Sequence, residues 1–218
     1  MMQLNGSPFA GLVSDKGIQQ LDRIAREEAN RVECIEAASQ RTADLFPRDA
    51  TWLVLQVQSG REQAVEKAML DCGIEACAPM CLGPKRRRHH KELPPSEQVV
   101  FVCYVFVRCV PSAYALQALA RFEHVRGVVG GWLHPYRVAN ETLSSFKELA
   151  ASGVYDWETK VDAIPVGSKV RVKEGPFIDF AGEVVAFGGK GKGTPVVELE
   201  LFGRKTPMLM PIAMLSRL

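Results

Sequence analysis

From about Asp15 to Leu45 apolar residues recur mostly every three or four positions (Ile18, Leu21, Ile24, Val32, Ile35) amid dense charge, the period of an amphipathic helix. No aromatic residue occurs there before Phe46, so the stretch can bury little by itself. Residues 1–50 therefore read as a helical or partly disordered extension, either docked on a partner or loosely ordered. At Thr51 the period changes to two. "TWLVLQVQ" (51–58) puts Leu53, Leu55 and Val57 on one face of a strand and Trp52 and Val54 on the other. Ser59, with Glu62 three residues on, predicts a capping box opening a helix. Val65, Ala68, Met69 and Cys72 form its buried stripe, and Gly73 its left-handed stop.

The same reading continues along the chain. "IEACAPM" (74–80) predicts a short strand ending at Pro79, and a polar, proline-containing loop runs from about Leu82 to Gln98. "VVFVCYVFVRCV" (99–110) is the longest and most apolar strand, which places it centrally. Pro111-Ser112 opens a helix with Leu116, Leu119 and Phe122 inward, and "VRGVVGGW" is a strand cut short by its glycine pair. "NETLSSFKELA" is a further helix, capped by Asn140, burying Leu143, Phe146 and Leu149. The order predicts an α+β fold: a four-stranded split βαβ sheet over 51–151 with helices on one side. Residues 152–163 read as a linker, and 164–218, short strands punctuated by Gly and Pro, as a small β-barrel.

Composition narrows the function. Apolar residues are 47%, charged residues 24% and net charge is +2, so any nucleic-acid contact must come from a local patch. No apolar run could span a bilayer, the N-terminus lacks the pattern of a secretory signal, and six irregularly spaced cysteines read as reduced thiols. These features predict a cytoplasmic protein without a membrane contact. The one dense basic run, "KRRRHHK" (85–91), is either a solvated loop or a set of phosphate contacts. Cys72, Cys77, Cys81, His89 and His90 cluster in sequence, but their uneven spacing does not match a zinc site, and no metal or other cofactor is expected. "GGKGKG" (188–193) lacks phosphate-loop spacing and reads as a hairpin tip, while His124 and His134 stand alone. The chain reads as a binding protein, not an enzyme.

Three motifs in order carry a resemblance. In "GSKVRVKEGPFIDFAGEVVAF" (167–187), Gly167, Val170, Val172, Gly175, Phe177, Phe180, Gly182 and Val184 resemble the KOW motif, an SH3-like barrel element of ribosome- and polymerase-associated proteins. "LFGRKTPMLM" (201–210) resembles the strand pair that closes that barrel in the NusG family, and "WLVLQVQSGRE" with "YVFVR" resembles the family's amino-terminal NGN signature. The resemblance implies a transcription factor whose NGN domain docks on the clamp helices of RNA polymerase, suppresses pausing and modulates elongation, termination and antitermination. The family's pocket motif (aromatic, Pro, Gly, Tyr, apolar pair) falls on Phe101, Val102, Cys103, Tyr104, Val105 and Phe106, with the Pro-Gly replaced. It implies polymerase binding by Phe101, Tyr104 and Phe106. As a strand, this segment would place Phe101, Cys103 and Val105 on one face and Tyr104 and Phe106 on the other. The aromatic residues then form an apolar patch if helices cover one face, and plain core if both faces are covered.

The basic loop (Lys85, Arg86, Arg87, Arg88, Lys91) would contact non-template or upstream DNA. The KOW barrel would recruit the Rho helicase or a small-subunit ribosomal protein through Phe202, Gly203 and Arg204, Phe202 being otherwise barrel core. The protein is expected to be a monomer. An operon-specific, RfaH-like antiterminator is the alternative favoured by "CAPM", the basic loop, the lost Pro-Gly and the extension. A ribosome-associated RNA-binding protein is the second alternative, one that leaves the NGN-like half unexplained. Val170, Val172, Val184, Val196 and Val197 favour strands in the barrel.

Overall fold

The computed structural model describes residues 14–83, 86–88, 91–156, 164–187 and 194–218. The extension is helical: α1 (Asp15–Ala38) and α2 (Gln40–Leu45). Ser14 Oγ accepts from Gly17 N at the start of α1. Ser39 ends α1 and opens α2 with one residue: its N–H donates to Glu36 O (3.1 Å), and its Oγ accepts from Thr42 N (3.2 Å). Only the last turns of α1 are seated, with Cys34 and Ala38 buried, whereas Ile18, Leu21, Ile24 and Val32 stand in solvent.

The first sheet is built from β1 (Thr51–Val57), β2 (Glu75–Cys77), β7 (Tyr104–Cys109), β8 (Val125–Val128) and β9 (Arg137–Val138), in the order β2-β7-β1-β8, with β9 also on β1. The helices between them are α3 (Glu62–Asp71), α4 (Ala113–Ala120) and α5 (Asn140–Ala151). The alternation read in β1 decides the architecture. Leu53 and Leu55 register with Val107 and Val105, and this face packs with Val65 and Met69 of α3, Ala115 and Leu119 of α4, and Cys34 of α1. Trp52 and Val54 share the opposite face with Tyr104 and Phe106, against Leu143 and Phe146 of α5. Helices therefore lie on both faces, not one, because α5 returns beneath the strand-edge residue Val138.

Several local readings change. The central strand begins at Tyr104; Phe101–Cys103 form a turn, so Phe101 joins Tyr104 and Phe106 in one cluster rather than the opposite face. The predicted loop 82–98 contains short antiparallel ladders. β3 (Met80–Leu82) pairs with β6 (Glu97–Val99), and β4 (Arg86–Arg88) pairs with β5 (Lys91–Leu93). Glu62 does not close a capping box; it is buried and its Oε1 accepts from Cys103 N at 2.7 Å. Ala68 and Cys72 are exposed rather than buried, and α5 begins at Asn140, one residue after its N-cap Ala139.

The second sheet is the small barrel: β10 (Lys169–Val172), β11 (Ala181–Phe187), β12 (Pro195–Leu201), β13 (Arg204–Leu209) and β14 (Leu215–Arg217), in the order β13-β12-β11-β10-β14. Val170, Val172, Val184, Val197, Leu199 and Met208 fill it. Gly182 is obligatory at the first bend, since a Cβ there would meet Glu198 O at 2.7 Å. The GGKGKG stretch, residues 188–193, lies outside the described residues.

Candidate partner-binding surface

Beyond α5, the aromatic face of the first sheet is covered by the barrel. Phe177, on the turn between β10 and β11, inserts edge-on toward Phe101 (5.5 Å between centroids) and Tyr104 (6.1 Å), and stacks on Tyr136 (6.1 Å, 12° between planes). It is fully buried, and a Phe moved from water to such a site contributes roughly 1.5–3 kcal/mol. Tyr136 Oη donates to Pro176 O at 2.9 Å, fixing the turn beside it. Phe101 and Phe106 lean on Phe146 of α5, which reaches Tyr155 (5.5 Å). Tyr155 lies inside the stretch read as linker yet is buried, while residues 157–163 fall outside the described residues.

The three residues assigned to polymerase binding, Phe101, Tyr104 and Phe106, are thus brought together and at most 3% exposed. The open apolar patch is absent from this arrangement because the barrel's own aromatic occupies it. Burial pushes the Tyr104 phenol up to about 12 and raises Tyr136. Tyr155 is raised by burial and then by the neighbouring Glu174 charge, and its hydroxyl is buried without a hydrogen bond of good geometry. All three belong to the seam as neutral groups. Lys147 Nζ sits 4.3 Å from the centre of the Trp52 ring on the same face.

The barrel residues assigned to partner contact form the β12–β13 hairpin loop. Phe202 and Gly203 have φ of 51° and 73°, the sign required at both centres of a type I′ turn, and Arg204 begins β13. Phe202 is 55% exposed rather than core, while its ring meets Tyr136 (5.5 Å) and Phe180 (6.2 Å). Tyr136, isolated in "HPYRV", is the residue the sequence reading missed. It sits in no periodic element, and nothing local signals that it would touch Phe177, Phe180 and Phe202 together.

Arg86, Arg87 and Arg88 form β4 and Lys91 opens β5, with Arg88 paired to Lys91 across the hairpin. Lys85, His89 and His90 lie outside the described residues. The hairpin springs from the β3–β6 ladder, which is anchored where Leu82 N donates to Asp156 Oδ1 (2.7 Å) and which leads directly into Val100 and Phe101. Among the described residues no group of three or more His, Cys, Asp or Glu is placed to hold a metal, and no helix is long and apolar enough to cross a membrane. Burial pushes the thiols of Cys77 and Cys109 up to about 12 and raises Cys81, which leaves them protonated at neutral pH.

The family model described as transcription termination factor NusG matches residues 50–147. The transcription termination/antitermination protein NusG of Neisseria meningitidis serogroup B is 25% identical over 177 residues, which cover 77% of this chain and 97% of that protein. A solved structure described as a domain interaction in Thermotoga maritima NusG is 25% identical, with a TM-score of 0.38, covering 78% of this chain and 98% of the other. One conformation of an MjSpt4:Spt5 complex is 16% identical, with a TM-score of 0.25, covering 77% and 97%. The segment similar to the NusG family model thus runs from the residue before β1 into α5, and the β-barrel follows it.

Proposed function

We propose that this protein is a non-enzymatic transcription termination/antitermination factor that binds RNA polymerase through Phe101, Tyr104 and Phe106 once the barrel has moved off them. The observation that carries this reading is Phe177: it comes from a separate sheet and seals Phe101 and Tyr104, two of three clustered aromatic residues that α5 backs only through Phe101 and Phe106. Apolar surface of that kind marks a binding site when exposed. Bound across the polymerase cleft, the protein would suppress pausing by favouring the elongating state. The basic run, Lys85 to Lys91, would lie against DNA. The freed barrel would offer Phe202, Gly203 and Arg204 to Rho or a ribosomal protein, and Phe202 keeps a left-handed backbone that strains an aromatic residue, as sites held for contact often do.

The covered surface also favours the operon-specific reading over the general one. A factor whose docking face is occupied binds with an affinity reduced by the fraction of open molecules, so it acts only where something opens it. The test uses the full chain and two variants with purified RNA polymerase. Phe177→Ser should tighten binding about tenfold or more by raising the open fraction. Tyr104→Ala should weaken it by roughly 2 kcal/mol when placed in that open background. Transit through pause sites should follow both changes. Binding that ignores both substitutions would remove the seam from polymerase recognition.

A further inference from the structure

The turn before β1, the end of β7 and β9 enclose a cleft of about 380 Å3 on the other side of the first sheet. Its walls are Arg48 and Arg137, over Ala50, Val110 and Pro111. Arg137 registers with Leu53, so it lies on the face that carries α3 and α4, away from Trp52 and the barrel. The cleft is therefore open whether or not the barrel covers the aromatic seam.

Neither guanidinium has an ion pair or side-chain hydrogen bond among the described residues. Arg108 shows the contrast: it bonds Asp44 at 2.9 Å and Glu75 at 3.0 Å and is neutralised within the fold. One carboxylate, Asp49, faces two unpaired guanidiniums, so the cleft keeps an excess positive charge. Two planar guanidiniums in a mostly polar cleft of this volume suit a tetrahedral oxyanion attached to a larger body. We propose that the cleft binds a phosphate group, carried either by a nucleic-acid backbone or by a free nucleotide.

The full chain, at low salt, would be titrated first with pyrophosphate, then with a mononucleotide and a short single-stranded RNA, while the Nε–Hε signals of its arginines are recorded. The signals of Arg48 and Arg137 should move together with one affinity. Arg48→Gln and Arg137→Gln should each weaken binding about tenfold, the loss of one charge-assisted hydrogen bond. Arg48→Lys should recover part of it, having the charge without the fork. RNA binding tighter than the mononucleotide assigns the site to backbone phosphate, and the reverse order to a free nucleotide. No joint shift up to about 10 mM pyrophosphate, or an unchanged affinity in the double Gln variant, overturns the proposal. Both side chains lie at the surface, so the variants should keep the parent's melting temperature, which separates a lost site from a lost fold.

Discussion

Cys103 holds its backbone at φ 72° with its N–H on buried Glu62 and its C=O accepting from Val57 N at 2.8 Å. It takes a left-handed conformation, which favours glycine and which a residue with a Cβ resists. A left-handed non-glycine costs about 1–2 kcal/mol, and glycine's extra freedom in the unfolded chain offsets about half of that. Cys103→Gly is expected to raise stability by about 0.5–1 kcal/mol in urea unfolding, and Cys103→Val to lower it, since a branched Cβ tolerates this region worst. At this scale legibility follows the local pattern. Leu53, Leu55 and Val57 announce their face because strand alternation is strict. Tyr136 does not announce its role, because what gives it one, the Pro176 carbonyl and three phenylalanines of the barrel, is distant in sequence.

Among the elements, the apolar and central character of β7 and the N-cap of α4 are legible, although β7 at six residues is shorter than β1 and not the longest strand; β3 to β6 are not legible. Three-residue strands rich in Arg, Lys and Glu have neither the length nor the alternation that marks a ladder, so they read as loop. Their pairing gives Arg86–Arg88 and Lys91–Leu93 a fixed antiparallel register, and β6 leads on into Val100 and Phe101. Replacing Arg86, Arg87 and Arg88 by Gln is expected to reduce the slope of log affinity against log salt by about two to three units for an elongation complex. Affinity for free polymerase should change far less. Equal losses on both would place the hairpin on polymerase instead of DNA. Glu62 is the complementary case: a helix does open there, but its N-cap is Arg61 rather than Ser59, without a side-chain cap, and the Glu62 carboxylate accepts from Cys103 N instead.

For the molecule as a whole, the decisive feature is that both faces of the first sheet are covered, one by α1, α3 and α4 and the other by α5 together with the barrel. That could not be read from periodicity, which says that a face is apolar and not what lies against it. The seam carries a pH signature. Burial raises Tyr104 from its ordinary value near 10 to about 12, with Tyr136 and Tyr155 moved the same way. The folded chain therefore holds protons that the unfolded chain has released, so stability is fully present below about pH 10 and falls as pH rises toward 12. Cys77 and Cys109, raised to about 12 from near 9, start the decline about one unit earlier. Calorimetry from pH 8 to 12 should show a falling melting temperature, and Tyr104→Phe should flatten the part of the slope above about 10. An unchanged slope in that variant would show that Tyr104 is solvated and not sealed by Phe177.

The contact that covers the aromatic face is made within one chain, between segments joined in sequence. Its strength is set by an effective concentration, of millimolar order for short tethers, and not by how much protein a cell makes. Diluting or overproducing the protein leaves the closed fraction where it was. An outside partner for the seam competes against that fixed local supply, and a hundredfold excess of the factor does not help it. Only the partner's own abundance, or a ligand that prefers the opened form, shifts the balance. Response is thereby decoupled from expression level, and a point change at Phe177 resets the threshold for every molecule at once.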